Sequence, residues 1–208
     1  MQNNSLLMAN FGTGCIRIFP ALLAAVAFLF SLLANFWCRL VKYDPESPGT
    51  FGTAHFGIFS YSQLSSVEFS WGDGQFTTES ECAAYNENID LDDAWRAAQA
   101  FAIISTIIGA IVSICLWLVP CFSRLTSDGI WTVLTAVCLF LLPFCQGLTF
   151  LLFQSQICKD NPVLGLFGAL GIYKDSCQLS SGGFLNIAAI IVWFLAGVFM
   201  AVFRDRLT

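Results

Sequence analysis

The side chains in this chain that could do chemistry are nine cysteines and one histidine, His55. Dithiol exchange uses closely spaced pairs such as C-x-x-C, and the sequence contains none. No nucleophile motif accompanies His55, and the chain has neither a Gly-rich phosphate loop nor a His/Glu metal signature. We therefore expect no catalytic residues, no cofactor and no metal ion, and predict that the protein is not an enzyme.

Acidic residues concentrate in one segment, 39–96, which holds ten acidic and three basic side chains. Asp90, Asp92 and Asp93 lie close together but lack the glycine and the distal glutamate of an EF-hand loop. Such a segment attracts cations weakly. A solvated acidic loop is the favoured interpretation, and we predict no metal site.

Four long stretches lack any charged residue: 18–38, 97–123, 129–158 and 176–203. Hydrophobic residues make up 57% of the chain and charged residues 11%, against about 25% charged in soluble domains. About 20 apolar residues span a bilayer core, and these stretches are apolar on every side, which argues against a soluble bundle. We predict one tetraspan membrane domain over 1–208, an all-α bundle of four transmembrane helices with the lipid bilayer as partner. The helices are expected at about 16–38, 97–120, 129–154 and 183–204.

The orientation follows from the basic residues. The side of the termini and the central turn holds Arg17, Arg124, Arg204 and Arg206 against two aspartates. Basic residues in short segments favour the cytosol. We expect both termini in the cytosol and the loops 39–96 and 155–182 outside, in the plasma membrane or a membrane of the secretory pathway.

The cysteines of the outer side can then pair in an oxidising space: Cys38, Cys82, Cys158 and Cys177. Because Cys158 and Cys177 share the second loop, that pair is our first choice, and Cys38 with Cys82 is the second. Sequence alone does not fix the connectivity.

The first outer loop has a strand-like pattern. Residues 55–61 and 67–71 alternate aromatic or β-branched residues with small or polar ones, and Gly72-Asp73-Gly74 predicts a hairpin turn before a returning strand at 75–78. We expect a small antiparallel β-sheet formed by this loop. The apolar segment 162–171 of the second loop is too short to span; it would dip into the membrane interface, contact another protein, or pack on the first loop.

Small residues four apart mark close helix packing. Helix two carries Ser105, Gly109 and Ser113, and helix four carries Gly197 and Ala201. We expect packing within the bundle, with a dimer seam as the alternative. Pro143 is expected to kink helix three mildly.

This arrangement resembles the claudin-like tetraspan superfamily, which includes claudins, relatives of peripheral myelin protein and auxiliary subunits of some channels. Trp37 is similar to the first tryptophan of the family's loop motif, Gly57-Ile58-Phe59 to its Gly-Leu-Trp, Cys82 to one of its two cysteines, and Arg96 to its arginine at the entry to helix two. The resemblance implies that Gly57, Ile58 and Phe59 anchor the sheet at the membrane surface and that Cys82 staples it. Since only one cysteine follows Gly57 in this loop, Cys82 would need Cys38 or a cysteine of the second loop.

These features together predict a non-enzymatic membrane protein that acts through its outer loops. Its partner would be itself, at cell contacts, or another membrane protein that it serves as an accessory subunit; no nucleic acid is expected. The short tail 204–208 departs from the long claudin tail and favours the accessory subunit. An oligomeric pore or transporter is the alternative, although the absence of ionisable residues deep in the spans argues against ion coupling; a membrane enzyme ranks below both.

Overall fold

Four long apolar helices dominate the computed structural model, which describes residues 3–45, 53–64, 80–85, 91–118, 128–159 and 177–203. The four candidate membrane spans are Ile18–Phe36, Asp93–Leu118, Gly129–Gln154 and Ser181–Val202. Each is long enough for a hydrocarbon core of about 30 Å, and large apolar side chains such as Leu29, Ile111, Phe140 and Phe194 stay exposed on them. The predicted four-helix membrane bundle with a small antiparallel sheet is confirmed, and the chain is an integral membrane protein.

The elements have the following bounds in chain order. They are α1 (Asn3–Phe36), β1 (Val41–Tyr43), β2 (Ala54–Phe56), β3 (Ser60–Leu64), β4 (Ser80–Ala84), α2 (Asp93–Leu118), α3 (Asp128–Ala136), a π-helical turn (Val137–Leu141), α4 (Leu142–Leu148), a 3-10 helix (Thr149–Gln154), α5 (Gln156–Lys159), β5 (Gln178–Leu179) and α6 (Ser181–Val202).

Two helices begin earlier than the sequence predicts. Helix α1 starts at Asn3 instead of about residue 16, and Pro20 lies inside the helix. Helix α2 starts at Asp93 instead of 97. There Asp92 caps the helix, its Oδ1 accepting a hydrogen bond from the Trp95 backbone N–H at 3.1 Å.

The third span changes its helical pitch around Pro143. Proline has no backbone N–H and its ring crowds the preceding turn. Just before it the chain forms the π-helical turn 137–141, in which the Leu142 N–H donates to the Val137 carbonyl. The span returns to α-helix and ends as a 3-10 helix. The mild kink expected at Pro143 stays a prediction.

The chain divides into two compact units. The helical unit comprises Met1–Ser31, Ile103–Gly147 and Asn186–Thr208, and the loop unit comprises Leu32–Ala102 and Leu148–Leu185.

Small residues bring helices together in the helical unit, as the sequence pattern suggests. A methyl group on Gly109 would lie 3.2 Å from the Trp193 ring, and one on Gly197 would lie 2.6 Å from the Leu139 side chain. Ser113 is buried and its Oγ donates to the Ala24 carbonyl at 3.3 Å. Ser105 is buried as well. Ala201, in contrast, is exposed, so the expectation that it packs inside the bundle with Gly197 is wrong.

Several polar groups within the spans of the helical unit are hydrogen-bonded to one another. The Trp193 indole N–H donates to Ser31 Oγ at 3.1 Å, and Ser31 Oγ donates to the Ala27 carbonyl at 2.9 Å. The side chains of Gln146 and Asn186, both fully buried, are hydrogen-bonded to each other. Asn186 Nδ2 also donates to the Gln146 backbone carbonyl at 3.3 Å. Since lipid offers no hydrogen bonds, such pairs join helices to each other.

The sheet of the loop unit has five antiparallel strands in the order β4-β3-β2-β1-β5. Val41 pairs with Phe56 on one side and with Leu179 on the other, so β1 lies between strands of the two loops. The sequence attributes the whole sheet to the first loop, and this is wrong for β5. Residues 55–61, predicted as one strand, belong to two strands with a turn at 57–59. The predicted hairpin at 67–78 and the apolar segment 162–171 lie outside the described residues.

Candidate interaction site on the loop unit

The loop unit has a hydrophobic core of its own. Both loops and the adjoining ends of the spans contribute to it. Its fully buried members are Leu40, Val41, Ile58, Trp95, Ala98, Ala102, Leu152 and Ile157. Alternation within the strands explains the division of faces: Val41 and Tyr43 point into the core while Lys42 is half-buried on the opposite face.

The turn between β2 and β3 joins the sheet to helix α2. Ile58 is fully buried, and its carbonyl oxygen accepts two hydrogen bonds, from Trp95 Nε1 and from Gln99 Nε2, each at 3.1 Å. Phe59 stacks on Phe36, the last residue of α1, with ring centroids 5.4 Å apart. Two helices therefore hold this three-residue turn by contacts of different kinds.

Gly57 lies where two backbones nearly touch. A methyl group at this position would overlap the Trp37 carbonyl oxygen and lie 2.9 Å from Cys38 Cα and 3.1 Å from the Ser60 carbonyl oxygen. All three neighbours are backbone atoms, which cannot swing aside as the end of a side chain can. Glycine is the residue that fits here.

Tyr85, the residue after strand β4, is also hydrogen-bonded to this turn. Its hydroxyl donates to the Gly57 carbonyl at 2.8 Å, and its ring packs edge-on against Trp95 with centroids 4.7 Å apart. Burial, with a smaller effect of Tyr61 nearby, raises the pKa of the Tyr85 hydroxyl well above its usual value. Tyr85 is therefore a neutral donor throughout the physiological range.

Both disulfides favoured from the sequence form in the loop unit. Cys38 is bonded to Cys82 with Cα atoms 5.7 Å apart, and Cys158 to Cys177 with Cα atoms 5.2 Å apart. The first bond ties the end of α1 to strand β4, which lies at one edge of the sheet. Among the described cysteines, Cys115, Cys138 and Cys145 are free thiols.

The second loop is joined to the first by hydrogen bonds as well as by strand pairing. The Tyr43 hydroxyl donates to the Ile157 carbonyl at 2.7 Å. Asp92 Oδ2 accepts from the Gln156 backbone N–H at 3.0 Å, so one carboxylate serves the first residues of both α2 and α5. The two loops thus form a single folded body.

His55 faces away from the core, opposite Lys42 on the neighbouring strand. Its Nδ1 lies 3.0 Å from Ser180 Oγ, just before helix α6. Partial burial lowers the pKa of the imidazole, and Arg39 and Lys42 lower it further, against a smaller opposing effect of Asp44. His55 is therefore neutral at pH 7.

The residues singled out by the family resemblance occupy different surroundings. The Trp37 backbone borders Gly57, while its side chain is 37% exposed beneath the Arg39 guanidinium. Arg96 is exposed on the first turns of α2, and its backbone N–H donates to the Asp92 carbonyl at 3.0 Å. Of these two residues, Trp37 therefore borders the turn at Gly57 through its backbone, and Arg96 has an exposed side chain.

Sequence reasoning overlooked several residues that build this body. Trp95, Gln99 and Tyr85 supply side-chain hydrogen bonds to the turn, and Asp92 caps two helices. Only Asp92 carries a local signal, since an aspartate before an apolar helical run is a typical N-cap. The others act on residues far away in the chain.

Among the described residues, no three His, Cys, Asp or Glu side chains come close enough to hold a metal ion. What the fold does define is a disulfide-linked sheet at the ends of four membrane spans. Comparison with models of known protein families and with curated proteins finds no match for this chain.

Proposed function

We propose that this protein is a non-enzymatic membrane protein that works through its two loops, as an accessory subunit of a larger membrane complex or by association with itself at cell contacts. The observation that supports this most strongly is that both loops fold into one body, closed by two disulfides and hydrogen-bonded to helix α2. A surface fixed in this way loses little conformational entropy on binding.

The two disulfides also support the proposed orientation. Disulfides persist in oxidising compartments, so the loop unit would face the outside or the lumen of the secretory pathway. With four spans, both termini then lie in the cytosol. The plasma membrane or a secretory-pathway membrane is the proposed location.

A claudin-like plan is part of the proposal. In this plan the turn at Gly57, Ile58 and Phe59 anchors the sheet, and the bond between Cys38 and Cys82 takes the place of the disulfide that claudins form within the loop. The acidic first loop would give the contact surface a weak preference for cations.

Paired co-purification tests the proposal and separates its two forms. Copies carrying two different tags are expressed together, cross-linked outside the cell and purified in mild detergent. Recovery of both tags together indicates self-association; a second membrane protein in fixed ratio indicates an accessory subunit. Serine replacement of Cys38 and Cys82 should abolish either result, whereas Cys115→Ser, which removes a free thiol, should leave it intact.

Recovery of the chain alone, in the wild type as well as in the double serine variant, would contradict the proposal. A selective ion conductance from the purified protein in planar bilayers would favour the oligomeric pore instead.

A further inference from the structure

Helix α2 exposes a regular row of apolar side chains along the part that belongs to the helical unit. Between residues 103 and 114, every large apolar side chain that it exposes is isoleucine. Five exposed residues follow one another at intervals of three, four, three and four. We call them the isoleucine seam: Ile104, Ile107, Ile111, Ile114 and Leu118. This alternation is the spacing by which helices pack side by side in a left-handed pair, the commonest arrangement of membrane helices.

The seam faces away from the protein's own bundle. Ser105, Gly109 and Leu116 are buried, and a turn of 3.6 residues places them on the side of α2 opposite the seam. The small residues of α2 are therefore occupied by packing within the helical unit. The isoleucine seam is the face of this helix that is left for contacts outside it.

Isoleucine suits a surface that packs against another helix. Because its side chain is branched at Cβ, one χ1 rotamer dominates in a helix, and the side chain loses little entropy when it is packed. The other three spans each expose phenylalanine instead: Phe19, Phe140 and Phe194. Lipid covers any apolar side chain and requires neither this choice of residue nor its regular spacing.

An open apolar groove lies beside the seam, between α1 and α2. Its volume is about 360 Å³, and its lining residues are Ala25, Phe28, Leu29, Ser113, Ile114, Trp117 and Leu118. An apolar cavity of about 150 Å³ already takes in a benzene-sized group, so the groove has room for a large side chain. Ile114 and Leu118 belong to both the seam and the groove. Projecting side chains and a hollow that can receive them therefore adjoin on one surface.

We propose that the isoleucine seam and this groove bind a second copy of the chain in the same membrane, with the two α2 helices parallel about a two-fold axis along the membrane normal. Copies inserted with the same orientation meet at equal depths, so each seam faces the other. A two-fold contact requires one surface that carries both parts of the fit, and the seam with its groove is such a surface. A different membrane protein would need a matching row of side chains at the same depth.

The area is sufficient for such a pair. The seam, together with Leu29 and Trp117 of the groove wall, exposes roughly 600 Å² per copy when an extended residue is given about 1.45 Å² per dalton. Two copies would bury roughly 1,200 Å², above the about 1,000 Å² of a specific interface.

Counting copies in a bilayer tests the proposal. The full chain is labelled with one fluorophore, placed in phosphatidylcholine vesicles at a series of protein-to-lipid ratios, and counted by single-molecule photobleaching. The wild type is expected to pair. Ile111→Ala should weaken pairing about tenfold, since each pair loses two packed side chains. Ile111→Val keeps the branch at Cβ and should pair nearly as well as the wild type.

A matched control comes from the fourth span. Ile191 is 52% exposed on α6, against 56% for Ile111, and Ile191→Ala should pair like the wild type. Cross-linking then locates the contact. Ile111→Cys should form a disulfide-linked pair under mild oxidation, whereas Ile191→Cys should give no more than the wild type with its free thiols. Circular dichroism shows that each variant keeps its helices.

This contact lies within the membrane and is separate from the loop surface of the proposed function, so that either can fail alone. Copies joined through the seam would carry both tags through the co-purification described above. The loop test is therefore run in the Ile111→Ala variant, where loss of pairing reports on the loops.

Three results would overturn the proposal. The first is a wild type that stays monomeric at the highest protein-to-lipid ratio, which would show that lipid covers the seam. The second is a pair that Ile111→Ala leaves unchanged, or that Ile191→Ala weakens as much. The third is an Ile111→Cys variant that, in native membranes, cross-links to a different protein and not to itself.

Discussion

Replacing Gly57 by alanine should destabilise the protein more than any other single methyl group added to the turn between β2 and β3. The new methyl would meet the Trp37 carbonyl oxygen, Cys38 Cα and the Ser60 carbonyl oxygen at once. None of these can yield easily: Cys38 is held by its disulfide, and the Ser60 oxygen already accepts the Gly57 N–H at 2.7 Å. Relief therefore requires the turn to move.

The magnitude follows from what that movement disturbs. Overpacking a rigid site costs about 1–3 kcal/mol. Displacing the Gly57 carbonyl from the Tyr85 hydroxyl adds about 1 kcal/mol for the hydrogen bond. The expected loss of unfolding free energy is about 2–4 kcal/mol, which lowers the ratio of folded to unfolded protein by a factor of roughly 30 to 700.

The assay is denaturant unfolding in detergent micelles, followed by near-ultraviolet circular dichroism, which reports on the packing of aromatic side chains, Trp95 and Tyr85 among them. Gly147→Ala is the matched control, because a methyl group there meets nothing within 4 Å. Glycine within a helix is less stable than alanine by about 0.5–1 kcal/mol, so this control should be slightly more stable than the wild type. If Gly57→Ala unfolds at the same denaturant concentration as the control, the close backbone approach at Gly57 is refuted.

Three further outcomes are expected. Asn186→Leu should cost about 1–2 kcal/mol of unfolding free energy, because Gln146 loses a buried hydrogen-bond partner within the membrane. Adding Gln146→Leu should recover part of this loss, and an additive loss in the double variant would contradict the pairing. Because the pKa of His55 is lower in the folded protein than in the unfolded chain, its contribution to stability should be full above pH about 6.5 and be lost as the pH falls through the folded pKa. The melting temperature measured against pH should therefore fall less in His55→Gln than in the wild type. Equal pH profiles of the two proteins would refute this contribution. Serine replacement of Cys38 and Cys82 should cost about 4 kcal/mol in the chain-entropy account of a loop of 44 residues, and an unfolding free energy equal to the wild type's would show that the disulfide does not constrain the unfolded chain.

Local features of the chain were enough to predict its membrane architecture. Long uncharged apolar runs place four spans, because lipid accepts only segments whose backbone hydrogen bonds are internal and whose side chains are apolar. The same reasoning separates the cysteines outside the spans from those within them, and the two favoured disulfides are those that the structure forms. Gly109 and Ser113 were also recognisable, since small residues four apart are a local pattern.

The arrangement of the loops depended on tertiary contacts. The sequence between 55 and 61 alternates like one strand, yet the chain turns between Phe56 and Ser60, where the backbone of Trp37 lies against Gly57. Strand β5 has only two residues and joins the sheet by pairing with β1. No local pattern predicts such a partner.

The sequence alone therefore determined where this protein meets lipid, because membrane insertion depends on the polarity of each segment by itself. Only the tertiary structure decided that both loops form one sheet and that Ile58 accepts hydrogen bonds from helix α2. These features depend on residues far apart in the chain, and their positions are set by packing, hydrogen bonds and disulfides acting together.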